Sequence, residues 1–219
     1  MRDLVTLIMM IVIFIGVFLF LASYPSIGFS STRRKIERAL PAQWSLSDFL
    51  RMKPIRGVTN QYYYFSEEVV KSLGHRYMGR LDGGVLHLEE APILDCIIER
   101  KFPMTYLPRE ARSEDVFQAG LYALALLEGG VSCSSTRLVI IYCLQEKAKR
   151  CLAKRLTNLC WRCSDGKTFV IKFKPNRVLK KLQRLDEVWY NGRKPKPTNE
   201  ANRCRVCPYS SDRCNYSLT

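Results

Sequence analysis

Three rhythms of apolar and polar positions follow one another along this chain. The first is an unbroken apolar run. From Leu4 to Ala22 nearly every residue is Leu, Ile, Val, Phe or Met, and after Asp3 no charge appears until Arg33. A helix of that length spans the hydrocarbon layer of a bilayer. A cleaved secretory signal has a shorter apolar core ending in small residues, and only Ala22-Ser23 offers such a site. The run therefore reads as a membrane anchor over 1–23. Residues 24–60 read as a linker punctuated by Pro25, Pro41 and Pro54, with a short helix around Trp44, Leu46, Phe49 and Leu50 started by Ser45 or Ser47.

Strand and helix periods take over after residue 60. Arg76–Leu88 and Ile93–Phe102 read as a strand pair turned at Glu89-Glu90-Ala91-Pro92. A helix follows from Ser113, a plausible N-cap, to the stop at Gly129-Gly130, with Val116, Ala119, Ala123, Leu124 and Leu127 suited to burial. The continuous run in Arg137–Leu144 reads as a buried strand, and Thr168–Phe173 as another after the turn Ser164-Asp165-Gly166. Pro175 opens a last helix striped by Val178, Leu182, Leu185 and Trp189. This order predicts an α/β domain over 61–198, a mixed sheet flanked by helices, with a cysteine-rich tail over 199–219.

Polar residues interrupt the apolar strands at chosen places. Asp82 lies in Gly79-Arg80-Leu81-Asp82-Gly83-Gly84, and Glu99-Arg100-Lys101 closes the second strand. Side chains alternate along a strand, so Glu99 and Lys101 share one face and Arg100 takes the other. With Asp82 on the neighbouring strand, two carboxylates approach each other, and they repel unless a cation lies between them. Oxygen ligands without histidine suit Mg2+ or Mn2+ better than zinc. Such an ion polarises a phosphoryl oxygen and acidifies water, and Lys101 would orient that water or stabilise developing charge. Gln118 and Tyr122, four apart, share one helix face. Asp95 points to the Glu99 face by strand parity and reads as a decoy or supporting acid. The alternative for the whole set is a surface hairpin with solvated charges beside an ordinary amphipathic helix.

The set Asp82, Glu99, Lys101, Gln118 and Tyr122 resembles the PD-(D/E)xK nuclease superfamily. The Gln-x-x-x-Tyr helix narrows the likeness to its RecB-like branch, including the CRISPR-associated RecB-family exonucleases. The resemblance implies a restriction-endonuclease-like core. It also implies metal binding by Asp82, Glu99 and the main-chain carbonyl of Arg100, with Lys101 catalytic, and DNA, single-stranded or with free ends, as substrate.

Cys204, Cys207 and Cys214 form a second cluster in the tail. Clustered thiolates hold zinc or an iron–sulfur cluster. Their spacing resembles the C-terminal trio of the iron–sulfur RecB-like nucleases, which implies a 4Fe-4S cluster. No cysteine precedes Cys96, so that family's upstream ligand is absent, and Cys160-x-x-Cys163 does not match its position. A cluster with a substituted ligand, a zinc site and free thiols all stay open. Many relatives also carry a metal-binding histidine on a helix before the Asp strand. The two histidines here, His75 and His87, lie on no such helix, and His75 reads as a polar boundary residue.

Charge narrows the partners. Lys and Arg number 35 against 20 Asp and Glu, a formal net charge of +15, which implies a polyanionic partner, nucleic acid or an anionic membrane face. Lys147, Lys149, Arg150, Lys154 and Arg155, then Lys172, Lys174, Arg177, Lys180 and Lys181, suggest a phosphate-contacting rim. Arg33, Arg34, Lys35 and Arg38 follow the apolar run while Arg2 alone precedes it, which puts the C-terminal domain in the cytoplasm. Nine cysteines, an odd number and unframed as disulfides, agree with that compartment. The expectation is a single-pass, membrane-anchored, metal-dependent exonuclease; the rival is a DNA-binding scaffold of the same fold without cleavage.

Overall fold

Ten residues with almost no exposed side chain, Pro92–Lys101, make the central strand. Burial on both faces is what a continuous apolar run demands, and the sheet supplies it. The computed structural model describes residues 9–18, 31–53, 61–153, 157–194, 196–208, 210 and 214–218. It divides into two units, 1–178 and 179–219, with the boundary inside a helix.

The first unit is built on a mixed six-stranded sheet. Its strands are β1 (Leu40–Pro41), β2 (Tyr62–Phe65), β5 (Gly83–Leu88), β6 (Pro92–Lys101), β7 (Arg137–Tyr142) and β8 (Lys167–Lys172), in spatial order β1-β2-β5-β6-β7-β8. Between β2 and β5 the chain makes a separate hairpin of β3 (Val69–Ser72) and β4 (Tyr77–Arg80). β6 and β7 are parallel, so a crossover must join them. Helix α1 (Ser113–Glu128) supplies it and packs on β3, β6 and β7. The opposite face carries Val85, Cys96, Ile98, Val139 and Ile141, covered by Ile36 of the helix over 31–38 and by Trp161 of the 3-10 turn Thr157–Arg162. Helix α2 (Gln145–Ala153) follows β7, and α3 (Pro175–Trp189) follows β8.

Several boundaries differ from the sequence reading. The expected strand over Arg76–Leu88 is two strands. The N–H of Leu81 bonds the Glu68 carbonyl at 2.9 Å and its side chain is fully buried. The chain thus leaves the β3–β4 hairpin at Leu81 and joins the main sheet only from Gly83. Ser113 is the first helical residue and Arg112 holds the N-cap position without a side-chain bond. Ser45 does cap its short helix, Leu46–Phe49, by accepting from the Asp48 N–H. In the second unit Leu182 and Cys204 are buried, whereas Leu185 and Trp189 of the expected stripe are exposed. Arg193 ties this unit together by pairing with Glu187 at 2.6 Å and bonding the Arg184 carbonyl.

The expected anchor lies outside the described residues except for 9–18, which are helical with exposed apolar side chains from Met9 to Phe18. Among the described residues no helix is long and apolar enough to cross a membrane.

Candidate active site

The end of β6 meets α1 on one face of the sheet. There Lys101 Nζ stands 2.7 Å from Glu99 Oε1 and donates to Gln118 Oε1, also at 2.7 Å. Gln118 Nε2 donates in turn to the Tyr122 hydroxyl at 2.9 Å. The helical spacing of four brings Gln118 and Tyr122 together, and strand parity brings Glu99 and Lys101 together.

Asp82 joins them through sheet register. Gly83 pairs with Ile98, so one step back along the antiparallel pair sets Asp82 opposite Glu99. The main-chain N–H of Arg100 donates to Asp82 Oδ2 at 2.6 Å and fixes the carboxylate there. Two glycines make the approach possible. A Cβ at Gly83 would stand 2.5 Å from the Tyr64 hydroxyl, and one at Gly79 would stand 2.6 Å from the Tyr122 ring. The Tyr64 hydroxyl accepts from the Arg100 guanidinium at 2.7 Å on the opposite face. Arg100 is thus shared, its backbone serving Asp82 and its side chain serving Tyr64.

The electrostatics follow from burial. Glu99 is 2% exposed, and desolvation, reinforced by the Asp82 and Asp115 charges, lifts its pKa to about 7 against the pull of Lys101. Burial works to lower the pKa of Lys101, but Glu99, Asp115 and Asp82 outweigh it and hold the ammonium charged. Burial also raises Tyr122, which keeps its phenol neutral. Glu99 Oε2 is buried with no hydrogen-bond partner. An orphaned carboxylate oxygen with a second carboxylate opposite is costly as it stands, and that donor set fits a hard divalent cation held by Asp82, Glu99 and the Arg100 carbonyl.

Asp115 is a member of the site that the sequence reading overlooked. It is buried on α1, its Oδ1 lies 3.7 Å from Lys101 Nζ, and its Oδ2 accepts from the Tyr142 hydroxyl at 2.5 Å. The signal was present: Asp115, Gln118 and Tyr122 stand at i, i+3 and i+7, one helix face. Asp115→Ala should leave the Tyr142 hydroxyl without its acceptor and lower the Lys101 pKa. The cost is about 1–3 kcal/mol for the unmet group, measurable by denaturant titration. An unchanged midpoint would show that Tyr142 finds another partner.

Asp95 is not on the Glu99 face. Val85 pairs with Cys96 and Leu86 with Leu94, so Asp95 is the extra residue of a β-bulge. The bulge reverses the parity upstream of it. Asp95 instead meets Lys35 at 2.5 Å and His87 Nδ1 at 2.6 Å, beside Tyr62. His87 Nε2 also reaches Glu89 at 3.1 Å. The hydrogen bond from the His87 ring to Asp95 raises the His87 pKa against the opposing effect of burial. His75 sits in the turn between β3 and β4 and pairs with Glu128 at 3.3 Å. Neither histidine is bonded to Asp82 or Glu99.

The basic residues divide between two ends of the sheet. Lys147, Lys149 and Arg150 lie on α2, just beyond the end of β7 that pairs with Lys101. Lys172 pairs with Arg137 at the other end, where Lys174 and Arg177 follow; Lys154 and Arg155 lie outside the described residues. In the tail, Cys204 is buried and Cys207 and Cys214 are half-buried. Among the described residues no three His, Cys, Asp or Glu side chains are gathered as a metal-binding group, so the tail thiols do not form a ligand set as they stand.

Compared with protein-family models and with curated proteins, the chain matches none.

Proposed function

We propose that this chain is a metal-dependent deoxyribonuclease of the PD-(D/E)xK type, anchored to a membrane by residues 1–23 with the domain on the cytoplasmic side. The observation that carries this reading is the unpartnered, buried Oε2 of Glu99, a residue whose register partner is Asp82 and whose neighbour Lys101 is kept charged. Mg2+ or Mn2+ bound by Asp82, Glu99 and the Arg100 carbonyl would polarise a phosphoryl oxygen and lower the pKa of water. The chain's own groups do the rest. Lys101 orients the attacking water or neutralises charge that develops on the phosphate. Gln118 holds Lys101 in place and is itself fixed by Tyr122, while Glu99, with Asp115 and Asp82, keeps the amine protonated. Lys147, Lys149 and Arg150, at the same end of the sheet, suit the DNA backbone. The resemblance to the RecB-like nucleases favours attack at a strand end, an exonucleolytic activity.

A second reading keeps the fold and the DNA but not the cleavage. The short Lys101–Glu99 pair favours it, because the ammonium already neutralises the carboxylate that a metal would need. Incubation of the full chain with end-labelled single-stranded DNA and Mn2+ separates the two. Cleavage that disappears in both Asp82→Ala and Lys101→Ala supports the nuclease. DNA retention with no cleavage under any divalent ion selects the scaffold, and cleavage unchanged in both variants excludes the proposed centre.

A further inference from the structure

A second set of chemistry-bearing side chains lies on the other face of the sheet. Cys143, Cys151, Cys160 and Cys163 line one cavity of about 240 Å³, together with Arg100, Asp82 and Glu67. Cys143 follows the last residue of β7, Cys151 lies on α2, and the other two come from the 3-10 turn and the residue after it. None of the four is in a disulfide. Free cysteines are usually core residues, yet three of these are only half-buried around a shared space.

Two further observations indicate what the space would hold. Arg100 Nε is buried and has no hydrogen-bond partner, although the same guanidinium bonds Tyr64 through another nitrogen. The cation offsets the Asp82 and Glu67 carboxylates of the same lining, and its left-over buried N–H donor is available to a tetrathiolate metal centre, which carries net negative charge. The segment bearing three of the thiols also has little else to hold it. Among the described residues from Leu144 to Gly166, Ala148 alone is buried. A stretch with so small a core gains its order from a staple.

We propose that Cys143, Cys151, Cys160 and Cys163 are the four thiolate ligands of a soft-metal centre, with the Arg100 guanidinium beside it balancing its charge. The thiols ring a cavity rather than converge on a point, in keeping with the lack of a preformed three-ligand group among the described residues. Binding would draw α2 and the 3-10 turn inward and release one proton from each thiol that ligates. Thiolate sulfur selects zinc or iron–sulfur chemistry over the hard ions that suit Asp82 and Glu99. The centre is separate from the tail trio Cys204, Cys207 and Cys214, and it stands whether or not the chain cleaves DNA.

The test is metal content of the full chain purified anaerobically in detergent, with iron, zinc and acid-labile sulfide measured per chain. Variants are Cys143→Ser with Cys160→Ser, the tail triple Cys204→Ser, Cys207→Ser and Cys214→Ser, and Arg100→Leu. The core pair should lose the bound metal while the tail triple retains it. Arg100→Leu should release it to a chelator about ten- to a hundredfold more readily. Iron with matching sulfide and visible colour identifies a cluster, and colourless zinc a single ion; either, lost with the core pair, supports the centre. Circular dichroism and Cys163→His, which restores a ligand nitrogen, guard against loss through misfolding. Metal that stays in the core pair, or none in the wild type with all nine thiols reactive or with Cys160 joined to Cys163, overturns it.

Discussion

Replacing Glu99 by glutamine is expected to make the protein more stable and nearly to abolish cleavage. Glutamine keeps an oxygen to accept from Lys101 and puts an uncharged amide nitrogen in place of the orphaned Oε2. The buried charge disappears with its desolvation cost. The wild-type pH dependence follows from the same group. Because the folded pKa, about 7, lies above the ordinary value of 4.5, the folded state binds more protons than the unfolded state between those limits. Stability therefore falls as pH rises through that window, by on the order of 3 kcal/mol at neutrality. The variant should lose this part of the slope. Mn2+ should raise the melting temperature of the wild type and leave that of the variant unmoved. Cleavage should drop by about 10²–10³-fold, the scale for removal of one electrostatic participant. A wild type and variant with the same slope between pH 4.5 and 7 would contradict the buried, raised-pKa carboxylate on which the proposal depends.

Gly79→Ala should damage the site without touching a charged group. The added methyl would lie 2.6 Å from the ring of Tyr122, a buried side chain with no free end to swing away. The ring must shift, and Gln118, bonded to its hydroxyl, must shift with it and pull away from Lys101. Overpacking of this kind costs about 1–3 kcal/mol. Misplacing a positioning group by about 1 Å can lower turnover a hundredfold. The expected signature is a lower catalytic rate with nearly unchanged Mn2+ dependence, since Asp82 and Glu99 keep their places. Gly79→Ala combined with Tyr122→Leu should recover stability but not rate. A double variant less stable than either single change would show that the ring and the methyl do not compete for one space.

What the sequence revealed of this site was what depends on local periods. Glu99 and Lys101 alternate by two, and Gln118 and Tyr122 by four, so their faces could be read directly. Asp82 needed a pairing register, and the Gly83–Ile98 match supplies one that parity alone could not choose. The division of Arg76–Leu88 was hidden because an apolar Leu81 continues the pattern across the point where the chain changes sheets. The hairpin strand Val69–Ser72 is four residues long, too short for its alternation to stand out. The helix over 31–38 fell inside the stretch read as linker, and the aromatic run of β2 lay in the part of the domain before Arg76 where no element was read. The cavity lined by four cysteines was illegible for another reason: its thiols come from three separate elements, and spacing in the chain says nothing of their convergence.

The bulge at Asp95 has an effect beyond its own ion pairs. Had the strand run regularly, Asp95 would have pointed to the face that holds Glu99 and Asp82 and added a third acid to that side. One additional backbone unit sends the first of these acids to a lysine and a histidine instead. The domain thereby keeps two acidic centres insulated from each other across a single layer, so that protonation on the His87 side need not disturb the balance at Lys101.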